Sequence, residues 1–114
     1  MASIKISPEE VNARVLAGET IVFVDSRNPE AWASSGRKIP GAVRVPADDV
    51  DSHLQEIDRN ATVVAYCTCP AEQSSLKTAE TLKAKGYPRV YALRGGFDAW
   101  VNAEYPVEPK SKAA

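Results

Sequence analysis

Cysteine is scarce in this chain of 114 residues: Cys67 and Cys69 are the two present, and one residue parts them. A structural disulfide needs converging Cβ vectors, and residues this close along a chain meet that geometry only under strain. The pair argues against a disulfide-stapled fold and for reduced thiols in a cytoplasmic setting. Histidine is rarer still, with His53 alone, and two cysteines plus one distant histidine fall short of a closed structural zinc site. No run approaches the ~18 apolar residues expected of a membrane span. The start, Met1-Ala2-Ser3-Ile4-Lys5, lacks the apolar stretch of a signal peptide. Neither sign of charge dominates, since 14 Lys and Arg face 15 Asp and Glu. That balance gives no electrostatic footing for nucleic acid or for an anionic membrane surface. The length suits one domain with one core.

What is present is an alternation of strands and helices. Ile4 and Ile6 open a short strand. Ser7-Pro8-Glu9-Glu10 is a helix start in which Ser7 caps, Pro8 fits the first turn and Glu10 completes a capping box. Val11, Val15 and Leu16 then form the helix's apolar face, and Gly18 ends it. Thr20 to Asp25 is a β-branched run that predicts a strand buried on both faces. A short helix begins at Pro29, Ile39 to Ala42 is a turn, and Val43 to Val45 is a third strand. Asp48 or Asp49 is placed to cap a helix carrying Val50, Leu54 and Ile57. Thr62 to Cys67 is the clearest buried strand, and a helix from about Ser75 to Lys85 follows. Val90 to Ala92 is a further strand, and Gly95-Gly96 leads into a helix from Phe97 to Ala103. The sum is an α/β fold: a mainly parallel, five-stranded sheet with helices on both faces. Ligands in such folds gather at the carboxyl ends of the central strands.

The loop starting at Tyr66-Cys67-Thr68-Cys69 occupies such an end, just before a helix N-terminus. Unpaired backbone N–H groups and a partial positive charge face it there, and a loop curling over them makes an anion-binding nest. A cysteine in that place is expected to ionise more readily. The plainer reading, a cysteine that is only a small buried hydrophobe, stands at even odds for Cys67 on periodicity alone. The second thiol and the polar stretch Pro70-Ala71-Glu72-Gln73-Ser74-Ser75 weigh against it.

At this point the sequence resembles the rhodanese homology domain, from about Ile6 to Pro106. Val22-Phe23-Val24-Asp25-Ser26-Arg27, with Glu30 after it, is similar to the family's strand ending in Asp-x-Arg. Ile39-Pro40-Gly41-Ala42 matches its Ile-Pro-Gly-Ala turn, and Val63 to Cys67 matches the strand that delivers its catalytic cysteine. Leu93-Arg94-Gly95-Gly96-Phe97-Asp98-Ala99-Trp100 matches its Leu-x-Gly-Gly-Phe-x-Ala-Trp signature, and Tyr105-Pro106-Val107 its common ending. The resemblance implies a domain over residues 1–106, with 107–114 a polar tail expected to fray. There are two departures, and the second bears on the chemistry. Arg37-Lys38 stands where the family usually has a histidine. The active loop is longer than usual and carries Glu72, with no cation before Lys77. Counting forward from the strand makes Cys67 the catalytic residue; counting back from Ser74-Ser75 and Gly86-Tyr87 makes it Cys69. Cys67 is preferred because the sheet is the rigid frame and loops absorb insertions.

The resemblance implies sulfur transfer by double displacement, without a cofactor or a metal. The thiolate takes sulfane sulfur from a small anionic donor such as thiosulfate, and a protein or small-thiol acceptor removes it. The backbone of Thr68 to Ser75 (Thr68, Pro70, Ala71, Glu72, Gln73, Ser74, Ser75) surrounds the anionic sulfur, with the Ser74 and Ser75 hydroxyls as added donors. Arg94 is the best cation to orient the donor. Glu72 in the loop mouth repels a doubly charged donor, which favours a persulfide relay over rapid thiosulfate turnover. Asp25 and Arg27 read as an ion pair that orders the loops. Gly95 and Gly96 allow a tight turn and close backbone approach, and Trp32 and Trp100 read as core anchors. From another class, the chain is a catalytically idle rhodanese-fold module for protein binding or sensing. An arsenate-reductase- or phosphatase-like activity ranks last, because Ser74 or Ser75 stands where it needs a closing arginine.

Overall fold

Thr62–Tyr66 is the strand about which the molecule is organised, buried at every residue. In the computed structural model, which describes residues 4–68 and 73–110, it is the middle of a five-stranded sheet. With β1 Lys5–Ile6, β2 Ile21–Asp25, β3 Arg37–Lys38, β4 Val43–Arg44, β5 Thr62–Tyr66 and β6 Val90–Leu93, the order is β1-β6-β5-β2-β4. Every pairing in that sheet is parallel. Parallel neighbours need crossovers, and the helices supply them on both faces. One face packs Val11 from α1 (Pro8–Leu16) and Phe97 and Trp100 from α4 (Gly96–Asn102) on Phe23, Val64 and Tyr66. The other packs Ala79 and Leu82 from α3 (Gln73–Ala84), with Val50 and Ile57, on Val24, Val63 and Ala65. The expected α/β architecture is the observed one. Among the described residues no helix is long and apolar enough to cross a membrane.

Several local expectations change. Ser7 does cap α1, accepting from the Glu10 N–H at 3.1 Å, but the Glu10 carboxylate accepts from Arg14 at 2.8 Å rather than reaching back. Of the three apolar positions on α1 only Val11 is buried; Val15 and Leu16 are 42% and 79% exposed. The segment after Asp48-Asp49 is a 3-10 helix, Asp51–Glu56, with no side-chain cap. Asp49 instead accepts from Ser52, and Asp48 pairs with Lys77. Part of the tail expected to fray is paired, since Glu108–Pro109 forms β7, antiparallel to β3; residues 111–114 lie outside the described residues. The Glu108 carboxylate accepts from the Gly41 N–H at 3.0 Å and lies 3.5 Å from Lys38. Neither two-residue strand has a readable period, and Arg37-Lys38 looks like solvated surface. Trp100 is a core residue. Trp32, on α2 (Pro29–Ser34), is half-buried and stacked by cations.

Candidate functional site

The carboxyl ends of β2 and β5 lie side by side, in register from Ile21↔Thr62 to Asp25↔Tyr66. The residues just past each end build the site. Asp25 is fully buried and held on several sides. Its carboxylate accepts from the Arg27 guanidinium at 2.6 and 3.0 Å, from the Arg27 N–H at 3.1 Å and from the Tyr66 hydroxyl at 2.8 Å. A buried charge is stable only when paired and hydrogen-bonded, and here the pairing is complete. Arg27 also donates to Arg37 O at 2.8 Å and lies 4.6 Å from the Phe97 ring centre. Tyr66 in turn accepts from the Ile39 N–H at 3.2 Å, which fastens the Ile-Pro-Gly-Ala turn to the strand. Burial, with the Asp25 carboxylate adding to it, pushes the Tyr66 phenol far above its ordinary value. Arg44 closes the group from β4, donating to the carbonyls of Asp25 and Arg27. Burial lowers its guanidinium from the usual value, and Asp25 opposes that.

Cys67 is the next residue along, and its thiol is buried. Its Sγ–H donates to Ser75 Oγ at 3.6 Å. Ser75 is buried in the first turn of α3, where backbone N–H groups lack intrahelical acceptors. The Cys67 carbonyl accepts from the Phe97 N–H at 2.9 Å. Gly96 makes this possible: it has a φ of +65°, and a Cβ there would lie 2.0 Å from Cys67 O. Gly96 thus has the close-approach role expected of it, and Gly95, also at positive φ, turns the chain before α4. Just past the end of β2, Ser26 Oγ donates to Val45 O at 2.9 Å and is hydrogen-bonded to Thr78 Oγ1 at 2.8 Å. That contact joins α3 to the strand ends.

Of the loop residues, Gln73 opens α3, Ser74 is half-buried, and Thr68 borders a cavity between α2, β3 and α4. Cys69, Pro70, Ala71 and Glu72 lie outside the described residues. Arg94 is exposed at the end of β6, with its backbone N–H donating to Ile6 O. His53 is half-exposed and bonded to Glu56 through Nδ1 at 2.8 Å. Among the described residues no cluster of His, Cys, Asp and Glu is placed to hold a metal. Ser26, Thr78, Tyr66 and Arg44 were not singled out from sequence. The spacing of Ser75, Thr78, Ala79 and Leu82 on one helical stripe is the signal that marks Thr78 as inward-facing.

The family model of the rhodanese-like domain matches residues 7–103. The chain belongs to the rhodanese-like family. A rhodanese-like chain of this size has close counterparts. It is 32% identical to a sulfurtransferase of Allochromatium vinosum, over 90% of this chain and 92% of that one. It is 34% identical to the thiosulfate sulfurtransferase GlpE of Pseudomonas entomophila, over 91% and 89% of the two chains. Among solved structures, a full-length protein of Lactobacillus plantarum superposes with a TM-score of 0.81 at 27% identity, covering 93% of this chain and 88% of its own. A rhodanese-like domain protein of Staphylococcus aureus gives a TM-score of 0.68 at 28% identity, over 84% and 89%. These relatives place the chain in a sulfurtransferase family.

Proposed function

We propose that this rhodanese-like domain is a sulfurtransferase or persulfide carrier that holds sulfane sulfur on Cys67. One observation carries the reading: a buried thiol at the end of the central strand, its Sγ facing Ser75 Oγ in the first turn of α3. A thiolate or persulfide formed there gains the Ser75 hydroxyl as a donor and the positive end of α3 as a field. In the first half-reaction the Cys67 thiolate attacks the outer sulfur of thiosulfate. A new S–S bond forms, the donor's S–S bond breaks, and sulfite leaves with the electron pair. A thiophilic acceptor, protein or small thiol, then removes the outer sulfur and regenerates the thiolate. The work of the protein is to hold the anion, and the buried Asp25–Arg27–Tyr66 group serves by keeping both strand ends fixed.

Intact-mass measurement after mixing reduced protein with thiosulfate or a small persulfide tests this. Wild type gains one sulfur atom, and Cys67→Ser does not. Loss of the gain in Cys69→Ser alone moves the nucleophile to Cys69. No gain with either donor leaves a binding or sensing module on the same fold.

A further inference from the structure

Polar contacts tie the buried stripe of α3 to the strand ends at successive turns. Ser75 Oγ meets Cys67 Sγ at 3.6 Å, and Thr78 Oγ1 meets Ser26 Oγ at 2.8 Å. Ser26 and Thr78 are both fully buried. Ser26 has a single hydroxyl proton and gives it to Val45 O at 2.9 Å, so the proton in the 2.8 Å contact belongs to Thr78. Ser26 is held in its turn, because its N–H donates to Tyr66 O at 2.8 Å, one residue before the thiol. Thr78 is thus bonded to a fixed point of the frame beside Cys67. Ser75 and Thr78 are three positions apart on one helical stripe, about 4.5 Å along the axis. Farther along the same helix, Ala79 and Leu82 pack with Val63 and Ala65. Apolar packing is non-directional and tolerates a small slide or turn of a helix. A hydrogen bond between two buried hydroxyls does not, since it weakens steeply away from a narrow range of distance and angle.

We propose that Thr78, through Ser26, is a positioning residue for the sulfur chemistry of Cys67. The hydroxyl pair sets the height and rotation of α3, so that the Ser75 hydroxyl and the first turn of the helix meet the sulfur. The inference rests on the reading of Cys67 as the sulfur-bearing residue and adds what aligns its hydrogen-bond partner. When Cys67 ionises, the Ser75 hydroxyl turns to donate to it. A charged acceptor gains more from a well-aligned donor than a neutral thiol does. A displaced first turn therefore costs the ionised site more than it costs the resting fold.

Thr78→Val keeps the branched shape and deletes the hydroxyl, and Ser26 still donates to Val45 O, so no buried donor is stranded. In a Cys69→Ser background Cys67 is the one thiol left to report. There Thr78→Val slows sulfur loading from thiosulfate by about three- to tenfold and raises the pH midpoint of the thiolate ultraviolet absorbance by about half a pH unit. Thr78→Ser restores the hydroxyl and returns both readouts toward wild type. In Ser75→Ala, where the aligned donor is gone, Thr78→Val has no further effect. Unchanged loading and midpoint in Thr78→Val overturn the proposal. So does a serine variant no better than valine, or a Thr78→Val loss of equal size with and without the Ser75 hydroxyl. Should Thr78→Val fail to fold, Ser26→Ala cuts the same contact from the other side, and a wild-type rate and midpoint there overturn the pairing. The absorbance titration needs no sulfur donor. A protein that takes up no sulfur but shows the Ser75-dependent midpoint shift loses the persulfide reading and keeps the positioning role.

Discussion

At the carboxyl end of β5, Tyr66 and Cys67 point to opposite faces of the sheet, as consecutive strand residues do. Tyr66 joins the cluster beneath α1 and α4, with its hydroxyl donating to Asp25 and accepting from Ile39. Cys67 turns toward α3, where its sulfur meets Ser75 Oγ at 3.6 Å. Both groups are buried; the Tyr66 hydroxyl is bonded to a carboxylate and a backbone N–H of the frame, and the Cys67 sulfur to a rotatable hydroxyl. The contrast separates frame from reagent. Strong, mutual hydrogen bonds fix a backbone. A thiol that donates to a rotatable hydroxyl can lose its proton and have that hydroxyl turn to donate to the anion.

The comparison breaks most completely if the frame is cut at its centre. Asp25→Ala leaves the Arg27 charge buried without its partner and costs about 3–5 kcal/mol, read as a lowered urea midpoint. A variant within 1 kcal/mol of wild type contradicts the frame role. Gly96→Ala pushes a methyl into Cys67 O and forces a positive φ on alanine. It costs about 1–3 kcal/mol or more, and sulfur loading falls with stability because the strand end moves. Tyr66→Phe removes one bond from Asp25 Oδ2, which keeps those from Arg27, and strands the Ile39 N–H, for roughly 1–3 kcal/mol near neutral pH. Its pH dependence sharpens the point. The folded-state phenol titrates above its ordinary value of 10.0, so the unfolded chain loses that proton first. Wild-type stability from this group is intact below about pH 10 and falls as pH rises further. The gap between wild type and Tyr66→Phe therefore narrows above that pH, as paired urea titrations show. Ser75→Ala has the smallest effect on stability, below about 1 kcal/mol, while loading slows roughly tenfold, since a hydrogen bond to a charged sulfur outweighs one to a neutral thiol. Equal losses in stability and loading for Ser75→Ala erase the distinction between the two groups.

Much of this was legible beforehand. The β-branched runs at Thr20 to Asp25 and Thr62 to Cys67 marked the two central strands, and Cys67 lies at a strand end as expected. The 3-10 helix at Asp51–Glu56 escaped because its apolar residues, Val50, Leu54 and Ile57, suit an α-helical stripe equally well. The tie between β3 and β7 escaped because two bridged residues leave no pattern. Arg94 drew attention as the cation beside the glycines. The cavity beside Thr68 is lined instead by Arg27 and Arg37, from another part of the chain.

Local repeats of two and of about three and a half residues are written along the chain, so the sequence alone determined the strand–helix alternation, the family and the position of the thiol loop. Partnerships across the fold carry no such record. Tyr66 reaches Asp25 across 41 positions, and Ser26 reaches Thr78 across 52. Only the packing of parallel strands under their crossover helices brings those atoms within hydrogen-bond range. The same packing decided which charges were consumed inside the frame.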